Sequence, residues 1–153
     1  MNSERKSIVI LMADDDLDDQ LMAKEALLES RVTNELKIVN DGVELFEYLR
    51  GEGKFASGNN PWPGLILLDL NMPRKDGREA LAELKSDPKF RRIPVVILTT
   101  SKTEEDMLRG YDLGAASYLT KPVTFAGLVD LMQTLGKYWV EFVELPGRHY
   151  SSE

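Results

Sequence analysis

The chain has 153 residues, 42% of them hydrophobic and 29% charged, with a formal net charge of -7 and no cysteine. That length and balance fit one soluble globular domain with a real core. They exclude a disulfide framework and a thiolate metal site, and the acidic balance argues against nucleic acid as a partner. No apolar run nears the ~20 residues needed to cross a bilayer, and Met1 to Lys6 lacks the apolar stretch of a signal peptide. The expectation is a cytoplasmic protein without membrane association.

The first strand is read over Ser7 to Ala13, a continuous apolar run that ends in Asp14-Asp15-Asp16. A helix follows, with its apolar pattern assigned to Leu17, Leu21 and Leu28. Asp16 is its natural N-cap, and Asp18 and Asp19 in the first turn favour the positive end of the helix dipole. Glu35 to Asn40 is a short strand. Asp41-Gly42 makes a turn, and Val43, Leu45, Phe46 and Leu49 mark the second helix. Gly51 to Pro63 is a loop rich in Gly, Pro and Asn that holds Trp62.

Leu65 to Asp69 reads as a strand buried on both faces, because four aliphatic residues run into the aspartate without polar alternation. Pro73 cannot continue a central strand, so the strand stops near Asp69. Gly77 opens the third helix, striped by Ala80, Leu81 and Leu84, and Asp87-Pro88 ends it. Ile93 to Leu98 is the fourth strand. The fourth helix is expected to start at Thr103 as cap, with Asp106 completing a capping box. Ala116 to Thr120 is the fifth strand. Thr124 caps the last helix, whose buried side is assigned to Phe125, Leu128, Leu131, Met132 and Leu135.

Alternating strands and helices imply βαβ units, hence an α/β domain with a doubly wound parallel sheet and helices on both faces. Residues 1–136 are expected to form this domain. Residues 137–153 are expected to be a C-terminal extension, with no separate output domain. Its aromatic stretch, including Tyr138, Trp139, Phe142, Val143 and Leu145, needs a surface to pack on. That surface is its own domain, a partner, or a second copy of the chain, which would give a homodimer.

The reactive residues fall at strand ends: Asp14-Asp15, Asp69, Thr99 and Lys121. In a doubly wound sheet these ends converge on one crevice. Clustered carboxylates repel unless a cation intervenes, and an all-oxygen set favours Mg²⁺ over Zn²⁺. Lys121 and Thr99 would stabilise charge on a phosphoryl group passing to a carboxylate nucleophile, with Asp69 the most central candidate. Each residue also has an ordinary reading. Asp16, Asp18 and Asp19 are taken as a helix cap and acidic turn, Thr99 could be a plain strand-end threonine, and Lys121 a surface lysine.

Taken in order, these motifs resemble the receiver domain of two-component response regulators. Asp14-Asp15 resembles the family's acidic pair and Asp69, in Leu-Leu-Asp-Leu-Asn-Met-Pro, its phosphoacceptor. Thr99 resembles its switch hydroxyl, Tyr118 its rotating aromatic, and Lys121-Pro122 its lysine followed by a cis-proline peptide. The resemblance implies the flavodoxin-like strand order 2-1-3-4-5, a metal held by Asp14, Asp15, Asp69 and the Asn71 backbone carbonyl, and phosphorylation by a histidine kinase. The protein would catalyse only its own phosphorylation and dephosphorylation. The loop from Gly51 to Pro63 and the aromatic tail are similar to single-domain regulators that partner phytochrome-type kinases in light signalling, some of which dimerise through the extension. A phosphate-sink role in a phosphorelay is an alternative within the same class.

Other classes fit less well. Gly51 to Ala56 matches a dinucleotide-binding fingerprint formally, but it follows a helix rather than a strand. A flavodoxin-type FMN site would need its phosphate beside Asp14 to Asp16, which would repel it. A haloacid-dehalogenase-type phosphohydrolase needs a second carboxylate where Asn71 stands.

Overall fold

The computed structural model describes residues 8–30, 34–111 and 113–138, with the side chains of residues 137 and 138 left aside. The elements, in order, are β1 (Val9–Ala13), α1 (Leu17–Glu29), β2 (Glu35–Val39), α2 (Gly42–Arg50), a 3₁₀ turn (Gly53–Phe55), β3 (Leu65–Asp69) and α3 (Gly77–Ser86). They continue through β4 (Val95–Thr99), α4 (Lys102–Arg109), β5 (Ser117–Thr120) and α5 (Phe125–Tyr138). The strands form one parallel sheet in the order β2-β1-β3-β4-β5. This is the expected flavodoxin-like arrangement.

Alternation along the strands builds a core on each side of the sheet. Leu11, Ala13, Ile66, Leu68, Val95 and Ile97 face one side, with Phe46, Leu81, Leu84 and Phe90. Ile10, Met12, Leu65, Leu67, Val96 and Leu98 face the other, with Ala23, Ala26, Leu128 and Met132. Successive strand residues point to opposite faces, so covering both faces with helices requires a continuous apolar run. Every residue of β3 and β4 is buried.

Several expectations are corrected. β1 begins at Val9, β4 at Val95 and β5 at Ser117. Leu17, Leu21 and Leu28 are 70%, 56% and 81% exposed. The buried face of α1 is Gln20, Ala23, Ala26 and Leu27. Ala23 and Ala26 are fully buried there, and an apolar pattern alone does not distinguish a small buried face from a bulky outer one. The cap of α4 is Ser101, whose hydroxyl accepts the Glu104 N–H at 3.1 Å, rather than Thr103. Phe125 is 40% exposed, whereas Leu128, Met132 and Leu135 are buried. Asp41 caps α2 rather than only shaping a turn. No cis peptide bond occurs among the described residues, so Lys121–Pro122 is trans, the lower-energy isomer of an X–Pro bond by about 0.5–1 kcal/mol.

The Gly51–Pro63 loop packs against α2. Tyr48 donates its hydroxyl to the Pro61 carbonyl at 2.8 Å, and Asn60 bonds the Phe55 carbonyl. Of the proposed tail contacts, the Tyr138 side chain, Trp139, Phe142, Val143 and Leu145 lie outside the described residues.

Candidate functional site

Because the sheet is parallel, the carboxyl ends of β1, β3, β4 and β5 share one edge. Asp14 and Asp15 follow β1, Asp69 closes β3, Thr99 closes β4 and Lys121 follows β5. The structure brings their side chains into a single acidic pocket. Asp14, Asp15 and Asp69 each offer a carboxylate oxygen, all within 4.8 Å of one another.

Asp14 is fully buried and held rigidly. Its N–H donates to the Val39 carbonyl, its carbonyl accepts Gln20 Nε2 at 2.6 Å, and its Oδ1 accepts the Asp16 N–H at 2.9 Å. Burial raises its pKa, against the pull of the Asp16 N–H and Lys121. Asp15 is exposed at the pocket rim.

Asp69 is 4% exposed, and its Oδ1 has no hydrogen-bond partner. Burial pushes its pKa up to about 6; Lys121 opposes that rise and Asp14 adds to it. A buried, unpartnered carboxylate oxygen is costly unless something binds it. Two buried carboxylates beside a third, with oxygen donors only, suit a hard divalent cation.

Lys121 Nζ lies 2.8 Å from Asp19 Oδ2, 3.1 Å from Asp14 Oδ2 and 3.6 Å from Asp69 Oδ2. Burial alone would lower its pKa, but the Asp19 hydrogen bond and the charges of Asp69 and Asp14 outweigh it and hold the ammonium charged. Asp19 is therefore part of the pocket, not merely of an acidic turn. Its N-terminal position on α1, three residues past the Asp16 cap, was the available sign. Gln20 was also missed; its amide bonds both the Asp14 carbonyl and Asn40 Oδ1.

Thr99 is fully buried, and its hydroxyl lies 3.1 Å from the Ser101 carbonyl and 3.3 Å from the Leu119 carbonyl. Tyr118, one residue before Leu119, is 6% exposed and its buried hydroxyl has no partner. The aromatic expected to turn inward is thus already inside. Asn71 sits exposed in the loop between β3 and α3.

A carboxylate cluster at the strand ends, with a lysine beside it, is the arrangement found in receivers. The chain matches the response regulator receiver domain model over residues 10–133. It belongs to the response-regulator receiver family, a two-component signalling family whose domains are phosphorylated by histidine kinases and hold a divalent cation at this acidic pocket. Response regulator Rcp1 of Synechocystis sp. is 44% identical over 138 residues, 90% of this chain and 92% of its own length. The phosphorylated cyanobacterial phytochrome response regulator RcpA superposes with a TM-score of 0.76 at 44% identity, covering 88% of this chain and 94% of that one. The Mn²⁺-bound form of Rcp1 gives 0.74 at 42% identity, covering 88% and 96%. A phosphohydrolase reading is not favoured.

Proposed function

We propose that Asp69 accepts a phosphoryl group from a phosphohistidine of a partner kinase and that the chain signals by the resulting conformational switch. The observation that carries this is the unpartnered Asp69 Oδ1, buried beside Lys121 and the Asp14 and Asp15 carboxylates. In the transfer, Asp69 Oδ1 bonds to phosphorus as the phosphorus–nitrogen bond of the donor breaks, and the electron pair leaves with the imidazole nitrogen. Asp15, Asp69 and the Asn71 carbonyl would hold Mg²⁺, with Asp14 supporting it through water. When bound, the cation neutralises the carboxylates and orients the phosphoryl oxygens.

Lys121 already stands 3.6 Å from Asp69 and supplies a fixed positive charge to a phosphoryl oxygen. Thr99 would exchange its backbone carbonyl partners for another phosphoryl oxygen. That exchange releases Ser101, which caps α4, and Leu119 in β5, and so alters the face made by α4, β5 and α5. Phosphorylation would then hold Tyr118 inside rather than drive it there.

The chain turns over no separate substrate in this reading; it catalyses only its own phosphorylation and dephosphorylation. Its similarity to the phytochrome response regulator RcpA supports a phytochrome-type histidine kinase as partner. We further read the chain as cytoplasmic, with residues 1–136 as the receiver and residues 137–153 as an arm that forms a homodimer.

Labelling with acetyl phosphate or a phytochrome kinase in Mg²⁺ tests the assignment. The wild type labels and Asp69→Asn does not. Equal labelling of both would remove Asp69 as the acceptor.

A further inference from the structure

Two loops carry the groups that would hold the cation: Asp14 and Asp15 after β1, and Asp69 and Asn71 at the end of β3 and beyond it. β1 and β3 pair just before these loops, and Lys121 contacts Asp14 and Asp69, but among the described residues no side-chain hydrogen bond joins one loop directly to the other. Between β2 and α2, however, Asn40 and Asp41 reach both. On one side, Gln20 Nε2 donates to the Asp14 carbonyl at 2.6 Å and to Asn40 Oδ1 at 2.8 Å. On the other, Asp41, 5% exposed, accepts Arg74 Nε on Oδ2 at 2.7 Å and Arg74 Nη2 on Oδ1 at 3.1 Å.

Arg74 lies three residues past Asn71 and has φ of 64°, the one left-handed non-glycine residue among those described. A side chain there is disfavoured unless its surroundings hold it. The bidentate pair with Asp41 supplies that hold. A second tie lies beside it, where the Gly42 N–H donates to the Lys75 carbonyl at 3.2 Å. A Cβ on Gly42 would meet that carbonyl at 2.5 Å, so the two loops touch backbone to backbone. The chain of contacts therefore runs from Asp14 through Gln20, Asn40 and Asp41 to Arg74 and back to the Asn71 loop.

We propose that the Asn40–Asp41 turn is a brace that fixes the spacing of the two cation-holding loops, with Arg74 as its anchor in the second. Asp41 and Arg74 are positioning residues, acting through the Asn71 loop. The inference rests on the reading of the pocket as a Mg²⁺ site. Partners one step removed from a metal ligand often change affinity by ~10–100-fold when mutated.

Asp41→Asn separates the brace from the helix cap. Asparagine keeps an oxygen for the Glu44 N–H, which Asp41 Oδ1 accepts at 2.9 Å, and caps helices as well as aspartate. It removes the charge and the second oxygen that hold Arg74. Arg74→Gly removes the guanidinium while permitting the positive φ. Mg²⁺ binding to the full unphosphorylated chain is measured by calorimetry, with thermal unfolding in EDTA alongside. Each variant is expected to bind Mg²⁺ about tenfold more weakly, and the double variant no more weakly than either single one. At saturating Mg²⁺ both label with acetyl phosphate to the wild-type extent. Affinities within twofold of the wild type would overturn the brace and leave the phosphoacceptor reading intact. Additive losses in the double variant would overturn the pairing of Asp41 with Arg74. A wild-type chain that binds no Mg²⁺ would remove the pocket reading and the brace together.

Discussion

Asp69 is under two opposing influences: burial that disfavours its charge and Lys121 that favours it, with burial the larger. The consequence for stability follows from its pKa of about 6 in the fold against 3.8 ordinarily. Between those values the folded state holds a proton that the unfolded state has lost, so stability falls as pH rises from about 4 to about 6, and above 6 the full penalty is present. In metal-free buffer at pH 7, Asp69→Asn should therefore be more stable than the wild type by roughly 1–3 kcal/mol, with the gain shrinking toward pH 4. Urea unfolding in EDTA at both pH values measures it, and no gain at pH 7 would refute the burial argument. Lys121→Met has the opposite sign. It strips the counter-charge from Asp14 and Asp69, which should lose about 3 kcal/mol, part of it restored by Mg²⁺. A loss that Mg²⁺ leaves untouched would argue against a cation in the pocket.

Helices differ in what their sequence discloses. In α3, Ala80, Leu81 and Leu84 form one buried stripe, and the capping box between Asp76 and Glu79 fixes its start. In α1, Leu17, Leu21 and Leu28 face outward while Leu27 is buried. Leu28→Ser should shift stability by under about 0.5 kcal/mol, whereas Leu84→Ala should cost roughly 2–5 kcal/mol. For α4, Ser101→Ala should cost about 1 kcal/mol and Thr103→Ala almost nothing, because Ser101 rather than Thr103 accepts the Glu104 N–H. Thermal unfolding of the four variants checks both pairs. The exposed Leu17 and Leu21 stand on the helix that carries Asp19, and exposed Val123 and Phe125 follow Lys121, its partner. A kinase that approached the Asp19–Lys121 pair would meet these exposed apolar side chains. Leu17→Ser with Leu21→Ser should slow labelling by the kinase and leave acetyl-phosphate labelling unchanged. Equal slowing of both would refute the docking role.

For the whole molecule, the aromatic extension is read as a dimer arm. Ending the chain after Gly136 should halve the mass found by light scattering, and an unchanged mass would refute the arm as the interface. Much of the fold was legible beforehand because unbroken apolar runs such as Leu65–Leu68 have one stable place, inside a parallel sheet covered on both faces. The same logic placed Asp14, Asp69, Thr99 and Lys121 at strand ends, and Pro73 marked where β3 must stop. Strand-end chemistry is local in sequence, so the residue types and their spacing suffice to find it. The face that α1 buries was not legible, because apolar residues fall on both sides of the helix and only the fit against the sheet and α5 selects Ala23 over the more apolar Leu21. Asp19 and Gln20 joined the pocket for a similar reason: their partners, Lys121 and Asn40, are distant in the chain. By itself the sequence determined the parallel sheet and the reactive strand ends, since those follow from periodicity and chain connectivity, and the strand order followed from the resemblance to receiver domains. Only the tertiary structure decided which carboxylates share Lys121, that Thr99 is tied to backbone carbonyls, and that Asp41 grips Arg74, since such pairings exist only once separate loops are packed side by side.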